Sequence, residues 1–349
     1  MSVQYKTFFE GLVQSEAPAN QFLMSLGQVT NVGMVTRVEF NEQREENYVA
    51  GAVEKDTGGN ENKSKRYTNR LIDLVDFNEE WSMTATEVQN NLSNKTIYED
   101  PGFQAEAISY VGSQIITLVK KVRRSAELMS AKILQAGTLP IYKEDGTVLK
   151  TEDFAPKGAH FFNAGTAWSG AADIIGDLSI ACGLIQTDGK ARAVNAIMGE
   201  GSWLAALKNT NFKDIFDKRN MNLGMISPEL QSTGGIYQGT VAVGSYMLNI
   251  WTYPDTYRFI GGSDTKYVPD ANVFVIPADS NIRTRFATIP TFGTDGDLSW
   301  LNTSLNVGGQ EYLITAEKKD STTIMGNVRA RMIAGPLNVD KLVRINTGV

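Results

Sequence analysis

The sequence predicts an α+β protein in which the other parts of the chain are arranged around one long helix. Three observations support this fold class. Residues 101–136 keep the period of one helix face without interruption, residues 168–282 alternate between helical and extended patterns, and residues 283–349 contain a series of strand patterns. Because helices in globular proteins average three or four turns, a helix this long favours an extended subunit.

The long helix is predicted from apolar or small residues that recur at steps of three and four. These residues are Ile108, Val111, Ile115, Leu118, Val122, Ala126, Met129 and Ile133. The charged residues Lys120, Lys121, Arg123, Arg124, Glu127 and Lys132 sit mostly off that face. Asp100 serves as N-cap and Gly137 as C-cap. At 1.5 Å per residue the helix would be roughly 50 Å long. It is either a core helix of an α+β enzyme or the spine of an extended subunit.

Composition excludes several classes of protein. A chain of 349 residues is long enough for two or three units with their own cores. The net charge of −6 gives no overall basic footprint for nucleic acid. The single cysteine, Cys182, rules out a disulfide within the chain and favours a reducing compartment. We expect no secretion signal and no membrane span, because the sequence has neither pattern.

The N-terminal third predicts an arm followed by a long hairpin. Residues 1–32 hold scattered apolar side chains, with a short helix at about 18–26, and form an arm that packs on something else. Residues 33–83 contain the extended segments VTRVEFNEQREENYVAG and RYTNRLIDLVDFNEEWSMT, separated by a charged stretch with the turn signal Gly58-Gly59. Since a two-stranded hairpin is marginal alone in water, this one rests either on a neighbour or on its own domain.

The remaining segments predict a mixed unit and a β-rich tail. Glu144-Asp145-Gly146 marks a hairpin turn shortly after the long helix. Residues 168–282 read as an α/β unit, in which GSWLAALKNTNFKDIFD is one helix capped by Ser202 and NVFVI is a buried strand. The tail after residue 282 is β-rich, and its alternation places Arg329 and Arg331 on one strand face.

The sequence offers no catalytic constellation. His160 is the only histidine, so neither a histidine triad nor a multi-histidine metal site is expected, and a structural role is favoured. Gly183 and Gly189-Lys190-Ala191 superficially resemble a phosphate-binding loop, but the spacing is one residue too long and Ala191 stands where Ser or Thr would bind Mg²⁺. We therefore expect no enzyme activity, no cofactor and no metal. The basic cluster at residues 120–124 either binds phosphate or, as we favour, makes intersubunit or solvent contacts.

Four stretches, in this order, carry a resemblance to a known family. They are VTRVEFNEQREENYVAG…RLIDLVDF, AELMSAKILQAGTLPIYKEDGTV, IYQGTVAVGSYMLNIWTYPDTYRF…KYVPDANVFVIPA and RARMIAGPLNVDKLVRINTG. The run ending in YVPDANVFVIP is the most specific. Together they cover nearly the whole chain, which resembles the major capsid proteins of tailed bacteriophages with the HK97-like fold, most closely the lambda-type branch.

The resemblance implies a division of the chain into named parts. These are an N-terminal arm (1–32), an extended loop that lies over an adjacent subunit (33–83), a peripheral domain with the spine helix at about 101–136 (84–167 and 283–349), and an axial domain around the five- and six-fold axes (168–282). Copies would form pentamers and hexamers of an icosahedral virion capsid, assembled in the host bacterial cytoplasm. The shell would enclose double-stranded DNA without sequence-specific binding.

The resemblance also implies partners and contacts. We expect a separate scaffolding protein, a portal and a decoration protein, and no membrane. Intersubunit contacts are predicted for Glu42, Arg44, Glu45, Glu46, Lys63, Lys65, Arg66, Arg123 and Arg124. The alternatives are an encapsulin-type compartment shell, another virion protein such as a tail or decoration component, and a soluble α/β ligand-binding protein or enzyme.

Overall fold

The computed structural model describes residues 21–43, 67–93, 103–169, 172–219, 229–230, 233–290 and 301–349. The helices within these ranges are α1 (Phe22–Ser25), α2 (Ala85–Ser93), α3 (Phe103–Ala136), α4 (Ile174–Thr187), α5 (Glu200–Lys208) and α6 (Thr210–Arg219), with 3₁₀ turns at Gly158–His160 and Val339–Lys341. The strands are β1 (Gln28–Asn31), β2 (Arg37–Gln43), β3 (Tyr67–Asp73), β4 (Val75–Thr84), β5 (Thr138–Tyr142), β6 (Val148–Asp153), β7 (Phe161–Asn163), β8 (Asn195–Met198), β9 (Glu229–Leu230), β10 (Ile236–Val243), β11 (Tyr246–Thr252), β12 (Thr256–Tyr257), β13 (Thr265–Lys266), β14 (Asn272–Ile276), β15 (Ile282–Ala287), β16 (Leu301–Val307), β17 (Gln310–Lys318), β18 (Thr323–Pro336) and β19 (Val343–Asn346).

The chain divides into two compact units, each built from three separate segments. The first unit comprises Met1–Val38, Ile72–Met129 and Arg283–Ala334, and the second comprises Glu39–Leu71, Ser130–Ile282 and Gly335–Val349. The residues of α3 up to Met129 belong to the first unit, and those from Ser130 onward belong to the second. The predicted long helix is therefore confirmed as a single element of 34 residues.

The first unit is a six-stranded sheet that packs against α3. The strand order is β1-β15-β18-β17-β16, and the sixth strand, β4, also pairs with β18. Along β18 the buried residues Val328, Ala330 and Met332 alternate with Arg329 and Arg331, as the sequence predicted. The buried set packs with Val111, Ile115, Leu118, Val119, Val122 and Ala126 of α3.

The second unit is a seven-stranded mixed sheet with the order β7-β19-β14-β8-β11-β10-β9. Every residue of β8 and β14 is buried, which fits the centre of a sheet covered on both faces. Its core includes Leu178, Cys182 and Ile185 of α4. The predicted α/β unit is thus present, with helices packed on a sheet.

The last strand of the chain differs from the prediction, which placed the whole tail in the peripheral domain. β19 lies in the sheet of the second unit, antiparallel to β14 and parallel to β7. Val343 and Ile345, 1 % and 0 % exposed, point into that core. The sequence showed a strand here, but strand pattern does not reveal which sheet a strand joins, because the pairing is made between residues far apart in the chain.

Glycine ends α3, as predicted. Gly137 has φ +65° and its N–H donates to the carbonyl of Ile133 at 2.7 Å. A Cβ at this position would lie 2.6 Å from Cγ of Pro156. Both the left-handed backbone and the close approach therefore require glycine, and they turn the chain directly into the hairpin β5–β6 around Glu144-Asp145-Gly146.

Two local predictions in the α/β unit are wrong. Ser202 does not cap a helix, because it lies in the first turn of α5, where its Oγ donates to the carbonyl of Asp270 at 2.7 Å. The predicted single helix is also two helices. Asn209 separates them, and its Oδ1 accepts from the N–H of Phe212 at 3.1 Å, which starts α6. The polar side chain competes with helix continuation at this point.

Replacing Ile345 by Ala should destabilise the second unit. The change leaves a cavity at a fully buried site, and the free energy of unfolding should fall by about 2–5 kcal/mol. The matched control is Ile180→Ala on α4, where the side chain is 56 % exposed and the loss should stay within about 0.5 kcal/mol. Urea titration of the unassembled subunit measures both, and equal losses would contradict the central placement of β19.

Candidate assembly surfaces

One side of α3 is packed and the other is polar and open. Val111, Ile115 and Val122 are at most 1 % exposed, whereas Ser113, Thr117 and Arg124 are exposed. Arg124 therefore lies where a neighbouring subunit has access to it. Lys121, on the border between the two sides, binds Glu79 of β4 through Nζ and Oε2 at 2.6 Å.

Arg123 lies inside its own subunit, which corrects its predicted place at an intersubunit contact. It is 5 % exposed, and its Nε donates to Oε1 of Gln310 at 3.0 Å and to the hydroxyl of Tyr312 at 3.3 Å. The guanidinium carbon is 5.8 Å from the centroid of the Tyr312 ring, a cation–π distance. Burial raises the pKa of Tyr312 to about 12. Arg123 lies one helix turn before Glu127 on α3, and both side chains are buried in the first unit.

Glu127 attaches the N-terminal segment to the long helix. Its carboxylate is fully buried and accepts from the N–H groups of Leu23 at 2.7 Å and Met24 at 2.8 Å. These N–H groups lie in the first turn of α1 and have no partner within that helix. The Glu127 carboxylate of α3 therefore caps the N-terminus of α1. Sequence reasoning missed this role. The only signal was the polar set Arg123, Glu127 and Ser130, spaced four and three residues apart beside the apolar stripe.

The base of the predicted extended loop is the strand pair β2–β3. Arg37 and Asp73 form an exposed ion pair across it, with Nε 2.6 Å from Oδ1. Arg70 donates to the carbonyl of Asp153 and lies 5.6 Å over the ring of Phe154. Arg70 thus connects β3 to the end of the hairpin β5–β6.

Of the contact residues predicted for the loop, one lies in a described strand. Glu42 belongs to β2. The others, Arg44, Glu45, Glu46, Lys63, Lys65 and Arg66, lie outside the described residues.

Apolar side chains are exposed on the hairpin β5–β6. Val148 and Leu149 are consecutive in β6 and are 53 % and 61 % exposed. Because successive strand residues point to opposite faces, both faces of this strand are open at that point. Leu71 of β3 is also 61 % exposed. Other large apolar residues exposed in the described part are Met34, Ile180, Leu204, Leu207, Met247, Ile260 and Val349.

His160 has a structural setting in the 3₁₀ turn before β7. It is fully buried, with Nδ1 3.1 Å from the carbonyl of Leu342 and Nε2 3.0 Å from Oδ2 of Asp188. Both ring nitrogens of His160 therefore lie within hydrogen-bond distance of an oxygen atom. Hydrogen bonds from Lys157 and then from His160 lower the pKa of Asp188. The group joins three segments of the second unit.

The described residues hold no cluster for a metal ion, and their single thiol is buried. They contain no group of three or more His, Cys, Asp or Glu side chains that would hold a metal ion. Burial raises the pKa of Cys182 to about 12, so this thiol is unreactive at neutral pH. A cavity of about 210 Å³ lies beside α5 and is lined by Glu200, Trp203, Leu204, Ile236, Gln238, Thr252, Tyr253 and Pro254. Glu200 is the only charged residue in that lining. No helix in the described ranges is long and apolar enough to span a bilayer.

The fold is that of phage capsid proteins. The structure is similar to a putative capsid protein of a prophage from E. coli CFT073, with a TM-score of 0.64, 10% identity and 98% of each chain covered. It is similar to the mature capsid of bacteriophage PhiM1, with a TM-score of 0.52, 10% identity, and 94% of this chain and 87% of that one covered. A phage-related protein from Bordetella bronchiseptica RB50 gives a TM-score of 0.56 at 9% identity over 98% and 97% of the two chains. These likenesses confirm the predicted HK97-like capsid fold.

Residues 12–344 match the model of the family described as phage major capsid protein E, and the chain belongs to that family. The protein is therefore a structural subunit of a phage capsid, as predicted. None of the curated proteins compared with the sequence matches it. Membership of the lambda-type branch stays a prediction.

Removing the Glu127 carboxylate should detach the N-terminal segment from the helix. Glu127→Ala leaves two buried N–H groups without their acceptor, and the free energy of unfolding should fall by roughly 2–5 kcal/mol. Glu127→Gln keeps one acceptor oxygen and should lose less. Hydrogen exchange would show faster exchange at Leu23 and Met24, with Arg124→Ala as the exposed control on the same helix. Unchanged protection at both amides would contradict the role.

The Asp188 cluster should make the stability of the second unit depend on pH. The folded-state pKa of this carboxyl lies below the ordinary 3.8, so its contribution is present above that pH and is lost as the pH falls through the folded value. Asp188→Asn should therefore lower the unfolding temperature at neutral pH, and the gap from wild type should narrow in acid. Asp264→Asn, at an exposed carboxylate, should follow wild type throughout. A gap that widens as the pH falls would contradict this.

Proposed function

We propose that copies of this chain assemble into the pentamers and hexamers of an icosahedral shell that encloses the double-stranded DNA genome of a tailed phage. The observation that carries this proposal is the family match over residues 12–344. The capsid fold supports it, since the structure is similar over 98% of its length to a putative prophage capsid protein. The same match favours a phage capsid over an encapsulin-type compartment.

The role proposed for the chain is structural and without catalysis. The buried, unreactive thiol of Cys182 and the structural setting of His160 support this. We propose assembly in the host cytoplasm with a separate scaffolding protein, a portal and a decoration protein. The net charge of −6 suits a container that must not adsorb its DNA strongly.

The proposed parts of the subunit follow the sequence, with two changes. Residues 1–32 act as an arm, 33–83 as the extended loop, 84–129 and 283–334 as the peripheral domain, and 130–282 together with 335–349 as the axial domain. Residues 130–167 and 335–349 move because they lie in the second unit, whose sheet contains β7 and β19. Proposed contacts with neighbours are Glu42, Arg44, Glu45, Glu46, Lys63, Lys65, Arg66 and Arg124.

Electron microscopy of the purified protein tests the proposal directly. Closed shells, or rings of five and six subunits, in a fraction defined by size-exclusion chromatography would support it. The protein is also co-expressed with its cognate scaffolding protein, because shell closure can require one. A uniform monomer or dimer in both preparations would overturn the proposal and direct attention to a ligand of residues 168–282.

Replacing residues 44–66 by a short Gly-Ser linker should block assembly and leave the subunit folded. The segment lies between β2 and β3, whose pairing and Arg37–Asp73 ion pair stay in place. Circular dichroism and unfolding temperature check the fold, and electron microscopy checks the shells. The control exchanges the same residues for a linker of equal length that keeps every charged position. Normal shells from the short-linker variant would refute the role of the loop.

A further inference from the structure

The hairpin β16–β17 has an unusual outer strand. Its two-residue turn, Gly308-Gly309, has φ +59° and +83°. Positive φ at both central residues defines a type I′ turn, and the twist of this turn matches that of the flanking strands. The register runs from Val307 opposite Gln310 to Leu301 opposite Ala316 without a bulge. Leu305 is fully buried in the core of the first unit. The strand is therefore held firmly in one register.

The turn decides which main-chain groups face outward. The pair that closes a two-residue hairpin is hydrogen-bonded, and bonded and non-bonded pairs then alternate along the strands. The N–H and C=O groups of Asn302, Ser304 and Asn306 consequently point away from β17. Within the described ranges, β16 ends the strand order of its sheet and pairs with β17 alone.

This edge lacks the protection that soluble proteins place on such strands. Residues 298–310 contain no charged side chain and no proline. By contrast, β4, which lies on the other side of β18, carries Asp76, Glu79 and Glu80. Charged side chains on an edge oppose pairing with another chain, and their absence leaves a template for an added strand. At the far end of the sheet, β1 is only four residues long.

We propose that β16 is an assembly edge, at which an extended segment of a second copy adds a strand to the six-stranded sheet of the first unit. An uncharged edge offers nothing to a phosphate backbone, whose binding depends on Lys and Arg, so nucleic acid is not the partner. A second copy is the partner that a shell subunit meets in every assembly. The contact is a heterologous one that relates neighbours by rotation, and it rests on the proposed shell function.

Proline at position 306 tests the edge with little disturbance of the fold. Asn306→Pro removes an outward N–H and leaves the bonds to β17, as edge strands tolerate. Asn306→Ala keeps the N–H and serves as control. We expect the subunit to unfold at nearly the wild-type temperature and shell yield to fall roughly tenfold or more, since an added strand depends on main-chain bonds. Wild-type yield from Asn306→Pro would overturn the proposal.

Hydrogen exchange of the wild-type protein gives a second, independent measurement. The amides of residues 302, 304 and 306 should exchange rapidly in the unassembled subunit and slowly in shells. Protection already present in the subunit would mean that another part of the same chain covers the edge, which overturns the proposal. Rapid exchange in intact shells overturns it too and leaves the shell function standing. Failure of wild type to form any shell with its scaffolding protein would instead defeat the proposed function itself.

Discussion

The first unit depends on the burial of one side of α3 against its six-stranded sheet. The helix is 34 residues long, and in proteins most of a helix's stability comes from the packing of its apolar face. Its apolar stripe meets the inward residues of β4, β17 and β18. The sheet in turn has its other face lined by polar residues such as Arg329 and Arg331, so the helix supplies the apolar partner that the sheet needs.

Charged groups inside this core fix positions that apolar packing alone leaves free. Glu127 binds two N–H groups of the N-terminal segment, and Arg123 binds Gln310 and Tyr312. A buried charge is tolerated only where every strong contact is made. The penalty for a misplaced partner therefore selects one arrangement of the N-terminal segment and of β17 on the helix.

The sheet of the second unit depends on β19 for its continuity. β19 lies between β14 and β7, and Thr347 bonds to Ser202 and to the carbonyl of Ala271. A chain that lacks these residues leaves the edges of two strands open in the middle of the sheet. The sheet of the second unit is therefore continuous only when residues 343–347 are present.

The sequence by itself determined the elements whose signals are local. The apolar stripe and Gly137 defined α3, Glu144-Asp145-Gly146 defined a hairpin, and four stretches in order carried the family. Only the tertiary structure placed Arg123 inside the subunit, gave Glu127 a partner and moved β19 into the second unit's sheet. Periodicity indicates which side of an element is buried. Hydrogen-bond partners and strand neighbours, however, are residues far apart in the chain, and no local pattern predicts which of them pair.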